Sequence, residues 1–257
     1  MNPIIDAHIH LDNYSEIEQQ RIIDEMNQYE IESLITVSSD LQSAKSNLQL
    51  HRAHEQIKPA FGFHPEQPLL DKKEMEALCA FICLYQQEMI AIGEVGLPYY
   101  TRKENPDLQM EPYINVLDQF MMLAKQLNKP IVLHAIYEDA AIACDLLEKN
   151  KIERAHFHWF KGDMQTVERM IQCGYFISIT PDVVYEEEIQ QLVERYPLAQ
   201  LMVETDGPWP FTGPFEGQIT HPKMIHQVIE TIATIKKLAT SDVYEQVLEN
   251  TKNFYGI

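Results

Sequence analysis

The chain is poor in the features that tie a protein to a membrane, an oxidising compartment or a polyanion. Four Cys in 257 residues are too few for a disulfide framework. Cys79 and Cys83 are spaced as neighbours on a helix, Cys144 and Cys173 fall in other apolar runs, and all four read as reduced core thiols. No apolar run approaches the roughly 18 residues of a membrane helix. No basic stretch followed by an apolar one opens the chain, so no membrane partner and a cytoplasmic location are expected. Glycine (9) and proline (14) are sparse and no tract is compositionally biased, which excludes fibrous and disordered classes. Basic residues are also scarce: 20 Lys and Arg against 39 Asp and Glu leave a net charge of −19. That balance excludes a broad basic face for nucleic acid, which needs cationic side chains to displace counterions. It does not exclude an enzyme that reaches a phosphodiester through bound metal.

What is present is a repeat of short β-branched runs and amphipathic stretches. The runs are Ile4–His10, Ser33–Ser38, Pro59–Phe63, Met89–Val95, Pro130–His134, Arg154–His158, Tyr175–Ile179 and Leu201–Thr205. Between and after them, segments such as Ile17–Tyr29, Glu74–Gln87, Pro112–Leu127, Ala140–Lys149, Met164–Cys173, Glu186–Tyr196, Pro222–Leu238 and Ser241–Phe254 have helical spacing, with Ser241 expected as an N-cap. No linker or composition shift divides residues 1–257. Eight strand–helix units in one domain predict an α/β fold, a (β/α)8 TIM-type barrel. A doubly wound open sheet is the competing architecture, and no Gly-rich loop follows the first strand to support it.

Of the ten His, six lie at or just beyond the ends of these strands: His8, His10, His64, His134, His156 and His158. His51, His54, His221 and His226 fall on helical segments. In a barrel the strand C-termini form the active face. Alternation along the first strand puts Asp6, His8 and His10 on one face, and two imidazoles one pleat apart can bind one ion. Glu94 sits inside an apolar strand, where a carboxylate needs an ion or a partner. Asp206 follows the eighth strand. Four His (His8, His10, His134, His158) and two carboxylates (Glu94, Asp206) from five strands make a pattern for two-metal hydrolysis. His156 and His158, being alternate, are expected to point the same way, with His156 behind a ligand or facing substrate. His64 is expected either to touch substrate or to cap its own loop.

The segments Asp6-Ala7-His8-Ile9-His10-Leu11-Asp12, Gly62-Phe63-His64-Pro65, Gly93-Glu94-Val95-Gly96-Leu97, His158-Trp159-Phe160-Lys161-Gly162 and Glu204-Thr205-Asp206-Gly207-Pro208 occur in that order. They resemble the TatD family of metal-dependent hydrolases in the amidohydrolase superfamily, and the resemblance extends to Asn253-Phe254-Tyr255-Gly256. It implies two divalent ions (Zn, Mn, Mg, Fe or Ni), one held by His8, His10 and Asp206 and one by His134 and His158, with Glu94 bridging. It implies 3′ to 5′ deoxyribonuclease activity, with Asp206 taking the proton of the attacking water. Glu204 is expected behind the ligands, and one of Glu204 and Asp206 is expected to leave strand geometry.

Three segments depart from the family pattern. Pro98 replaces an Asp, Ala135-Ile136 replaces Ser-Arg, and Trp209-Pro210-Phe211 replaces an aromatic-Leu continuation. All are expected at the substrate rim. Lys161 and Arg102 are the candidate replacement cations. Trp159, with Phe160, Trp209, Tyr99 and Tyr100, is a candidate stacking surface or a lid over the barrel mouth. The substrate is expected to be DNA. A small phosphoester, lactone or amide is the alternative, and a binding protein on a worn barrel is a third reading.

Overall fold

Eight parallel strands alternate with helices: β1 (Ile4–Ile9), β2 (Ile31–Val37), β3 (Ile57–Phe61), β4 (Ala91–Gly96), β5 (Ile131–His134), β6 (Ala155–Phe157), β7 (Phe176–Ile179) and β8 (Leu201–Val203). This is a computed structural model, and it describes residues 2–257; Met1 lies outside them. The strands pair in sequence order from β1 to β8. The seam is drawn together just beyond β8, where Asp206 N donates to His8 O (2.9 Å) and His10 N donates to Gly207 O (2.8 Å). A sheet ordered in this way, with its two ends bonded, is a barrel and not a doubly wound sheet. All eight expected strands are present, with ends shifted by up to two residues.

The helices are α1 (Glu16–Glu25), α2 (Leu41–Ala53), α3 (Lys72–Leu84), α4 (Tyr99–Glu104), α5 (Met110–Leu127), α6 (Glu138–Asn150), α7 (Met164–Gln172), α8 (Glu187–Arg195), α9 (Ile225–Lys236) and α10 (Thr240–Tyr255). Their starts follow local chemistry. Ser15 with Glu18, and Asp71 with Glu74, form capping boxes, and the Asp40 and Asp163 side chains accept from first-turn amides. Ser241 does not cap α10: Ala239 takes that place, with no side-chain bond. Lys237 closes α9 in a left-handed conformation, which leaves only Leu238 and Ala239 before the next helix begins. No helix among the described residues is long and apolar enough to cross a membrane. The four cysteines are free, and only Cys144 is buried; the other three are half-buried, so the expected set of core thiols reduces to one.

Two large apolar regions fill the barrel and its surround, beside a small cluster of Phe211, Phe215 and Met224. A large cluster joins the outer faces of the strands to the helices and includes Ile4, Ile9, Leu34, Phe61, Ile92, Val95 and Leu133. A second, inside the barrel, contains Ile5, Ala7, Ile35, Val37, Ala60, Ala91, Val132 and Met202, and is floored by Phe254 and Tyr255 from the end of α10. Ala7 therefore packs inward and Ile9 outward. Simple alternation would put both on one face, so β1 slips by one residue, and its pairing with β2 is irregular between Asp6 and Ile9.

Candidate metal centre

That slip is what brings His8 and His10 to the mouth of the barrel above Ile5 and Ala7. Asp6 does not join them, contrary to the alternation. Its carboxylate accepts from the His8 amide (3.2 Å), the Thr205 amide (3.0 Å) and the Thr205 hydroxyl (2.5 Å). Asp6 thus ties β1 to the segment after β8, and burial pushes its carboxyl up to about 7 despite the Thr205 bonds.

Glu94, wholly buried on β4, stands at the middle of the group, and its two oxygens face different partners. Oε2 lies 3.2 Å from His8 Nε2 and 3.1 Å from His10 Nε2. Those two nitrogens are 3.3 and 3.6 Å from Asp206 Oδ1. Oε1 lies 2.6 Å from His158 Nε2 and 2.9 Å from His134 Nδ1. Glycines make this convergence possible. A Cβ on Gly96 would sit 1.9 Å from His134 O, and one on Gly62 would sit 2.5 Å from Glu94 O, so the motif glycines are where strands β3, β4 and β5 press together. Asp206 sits at φ 50°, outside strand geometry, and is the member of the Glu204/Asp206 pair that departs.

The donor set fits a divalent cation. His8 Nε2, Glu94 Oε2 and Asp206 Oδ1 are buried without hydrogen-bond partners, and all three converge on one point. Buried polar atoms left in this way are costly unless an ion satisfies them. The electrostatics agree. Burial works against the charge on Glu94, but the His158, His64 and His8 imidazoles and a bond from His10 hold its carboxyl well below the usual range. Asp206 is likewise lowered, against burial, by His8 and His158. Burial and the His158 ring oppose a proton on His8, yet Glu94 and Asp206 raise it to about 9. Carboxylates that hold charge beside imidazoles that draw protons are groups a divalent ion would bind by displacing those protons.

Supporting groups surround the set, and one of them has no counterpart in the sequence reading. Glu66 Oε1 lies 3.3 Å from His134 Nε2, while the same carboxylate accepts from the Tyr100 and Thr101 amides and the Thr101 hydroxyl. Against burial, the His134 and Thr101 bonds draw Glu66 down to about 2. A carboxylate behind a ligating imidazole fixes its tautomer and orientation. Glu204 lies beyond His158, with Oε1 3.8 Å from its Nδ1, and accepts the Trp159 amide (2.7 Å). Of the two alternatives for His64, the bond within its own loop is present. Its Nδ1 accepts from the Glu66 amide (3.2 Å), so its proton is on Nε2, which is 3.5 Å from Glu94 Oε1. Burial lowers His64 to about 4, leaving it a neutral donor aimed into the site.

A cavity of about 490 Å³ opens over these groups, lined by His10, His64, His134, His158 and Asp206 and by Tyr100, Ile136, Trp159, Trp209, Lys161, Glu66 and Glu104. Two of the three departures from the family pattern, Ile136 and Trp209, reach it; Pro98 caps α4 instead. Lys161 is the one cation of the lining, with Nζ 5.8 Å from the Trp159 ring and 3.8 Å from Asp182. Arg102 does not reach the cavity, because it is held by Glu138 (2.9 Å) and Asp139 (2.8 Å). His156 does not face substrate either. It is wholly buried one layer below His158, bonded to Tyr255 and Ser178, and burial keeps it well below its usual pKa. Alternation set its direction correctly; depth in the barrel decides that it cannot reach the mouth.

Comparison with known proteins agrees with this architecture. The family described as TatD related DNase matches residues 5–256. A protein of Haemophilus influenzae named an uncharacterized metal-dependent hydrolase is 37% identical over 255 residues, 99% of this chain and 100% of that one. A Homo sapiens protein named deoxyribonuclease TATDN3 is 26% identical over 261 residues, 98% of this chain and 94% of that one. The crystal structure of YjjV, a TatD homolog from Escherichia coli K12, has the same fold, with a TM-score of 0.89 at 23% identity over 99% of this chain and 98% of that one. By its match to the family along nearly its whole length, the chain belongs to the TatD-related metal-dependent hydrolases.

Proposed function

We propose that the protein hydrolyses phosphodiester bonds in DNA, shortening a strand from its 3′ end, with two divalent ions bridged by Glu94. The observation that carries the reading is the division of the Glu94 oxygens: His8, His10 and Asp206 gather at Oε2, and His134 and His158 gather at Oε1. The names of relatives such as human TATDN3 support DNA as the substrate. Divalent ions in such paired sites supply Lewis acidity toward a phosphoryl oxygen and bring a water's pKa toward neutrality.

The chain's own residues do the rest. Asp206, whose Oδ1 belongs to the ion's donor set, accepts the proton of the attacking water at its other carboxylate oxygen, on the cavity wall. His64 Nε2–H donates to a phosphate oxygen, its direction fixed by the bond from Glu66 N to Nδ1. Lys161 supplies the single positive side chain for that phosphate, and the faces of Trp159, Trp209 and Tyr100 offer stacking surfaces for the terminal bases. Glu66 and Glu104 on the cavity wall, with a net charge of −19, repel a strand lying along the surface and favour entry of an end.

The test is cleavage of end-labelled single-stranded DNA by metal-stripped protein resupplied in turn with Mg, Mn and Zn. Stepwise shortening from the 3′ end is expected, with Asp206→Asn lowering turnover roughly 10²–10⁴-fold, the usual contribution of a general base. DNA left intact under every ion, by protein that retains metal, would turn the substrate toward small phosphoesters, lactones or amides.

A further inference from the structure

Below the centre, three buried polar side chains that hydrolysis does not use form a continuous line through the barrel. The Tyr255 hydroxyl, on the floor, lies 2.7 Å from His156 Nδ1. His156 Nε2 lies 2.5 Å from Ser178 Oγ on β7, and Ser178 Oγ donates to Glu204 Oε2. Glu204 Oε1 in turn accepts the Trp159 amide at 2.7 Å.

The direction of these bonds follows from what each group can do. A carboxylate only accepts, so the Ser178 proton lies toward Glu204 and the Ser178 oxygen accepts from His156 Nε2–H. His156 Nδ1 is then unprotonated and accepts from the Tyr255 hydroxyl. Every bond points up the barrel to Glu204. There, Oε1 lies 3.8 Å from His158 Nδ1, and the rings of His8 and His158 stack with centroids 3.8 Å apart. The ligand atoms of His8, His158 and Glu204 fall within 4.8 Å of one another. A third ion among them is disfavoured, because both Glu204 oxygens already accept hydrogen bonds, from Ser178 and from Trp159.

We infer that His156, Ser178 and Tyr255 are positioning residues of the metal centre, acting through Glu204. Held from below, the Glu204 carboxylate pins the Trp159 amide, and with it the backbone that carries His158. It also places an acceptor on the Nδ1 side of His158, 3.8 Å away, while Nε2 faces Glu94 Oε1 at 2.6 Å, the side on which an ion would bind. This rests on the reading of His158 as a ligand. The barrel does not need such a line for its stability, since other strands fill the same interior with Ile35, Val37, Ala60, Ala91 and Val132. Burying polar groups in place of aliphatic ones is costly unless every bond is made, and here each bond is made from the floor to the Trp159 amide.

The test measures Zn affinity by competition with a chromophoric chelator, and the protection of the Trp159 backbone amide by hydrogen exchange. Ser178→Ala and His156→Leu break the line and should weaken Zn binding roughly 10–100-fold, the usual effect of losing a group behind a ligand. Both should also raise the exchange rate of the Trp159 amide, whose acceptor Glu204 they release. His156→Gln, whose amide can accept from Tyr255 and donate to Ser178, should restore both readouts. Tyr255→Phe removes one oxygen from the floor and should give a smaller change in the same direction; if the larger substitutions fail to fold, it decides alone. Unchanged Zn affinity and an unchanged Trp159 amide exchange rate in folded Ser178→Ala or Tyr255→Phe would overturn the inference and leave the line as barrel filling. A wild-type chain that binds no Zn would instead remove the reading of His158 on which it rests.

Discussion

The two sides of the barrel interior are built from different chemistry. From β1 to β5 the inward positions are aliphatic: Ile5, Ala7, Ile35, Val37, Ala60, Ala91 and Val132. From β6 to β8 they include His156, Ser178 and Glu204, joined by directional hydrogen bonds. The metal centre straddles the two. His8, His10, Glu94 and His134 come from the aliphatic side, where backbone geometry places them: a one-residue slip on β1 and glycine contacts at Gly62 and Gly96. His158 and Asp206 come from the other side, where left-handed backbone at Trp159 and Asp206 and the bonds to Glu204 do the placing. Aliphatic packing is non-directional and sets stability, whereas a polar line sets orientation. The contrast predicts which substitutions disturb the ions and which disturb only the barrel.

The largest effect belongs to the group both sides share. Glu94→Gln exchanges an oxygen proposed to hold an ion for an amide nitrogen with no free lone pair, and should lower turnover by more than the roughly 10–100-fold typical of supporting residues. Elemental analysis should show ion content falling with it; full content and near-normal turnover would remove the bridging role. On the aliphatic side, Ile35→Ala should cost about 2–5 kcal/mol in denaturant unfolding while leaving Zn affinity unchanged. A matching loss of affinity would dissolve the contrast. Gly96→Ala should destabilise by about 1–3 kcal/mol or more, because its Cβ meets His134 O at 1.9 Å, and should disturb the ions too, since the displaced backbone carries His134.

The smallest effect is one of pH on the metal-free protein. His8 is raised to about 9 from an ordinary value of 6.5. A raised folded-state pKa contributes stability that is fully present below 6.5 and is lost as pH rises through 9. Melting temperatures of the metal-free chain should therefore fall between those values, and added Zn should reverse the fall. A flat profile would mean that Glu94 and Asp206 do not act on His8 as the distances suggest.

Much of this was legible in the sequence. The eight strands are visible because each is a short β-branched run between amphipathic stretches, and the potential ligands are visible because they close those runs at one end. The resemblance to TatD enzymes placed Glu94 and Asp206 in one site. What was hidden depends on irregular backbone or on depth. Asp6 was expected beside His8 because alternation cannot anticipate the slip between Ala7 and Ile9. Whether His156 lies behind a ligand or faces substrate stays open in the sequence, because periodicity gives a side chain's direction but not its layer. Glu66 is absent from the residues that the sequence singles out, since nothing in its spacing announces that α4 folds its amides onto that carboxylate. Its place two residues after the strand-end His64 is the one available signal. Arg102 looked free because its partners, Glu138 and Asp139, lie on a helix two elements away.

The most direct test of the central claim is to count and locate ions by anomalous diffraction from crystals grown with Mn. The account predicts two peaks, one beside Glu94 Oε2 among His8, His10 and Asp206, and one beside Oε1 among His134 and His158. A single peak at saturating Mn, or peaks that leave Glu94 uncoordinated, would contradict it.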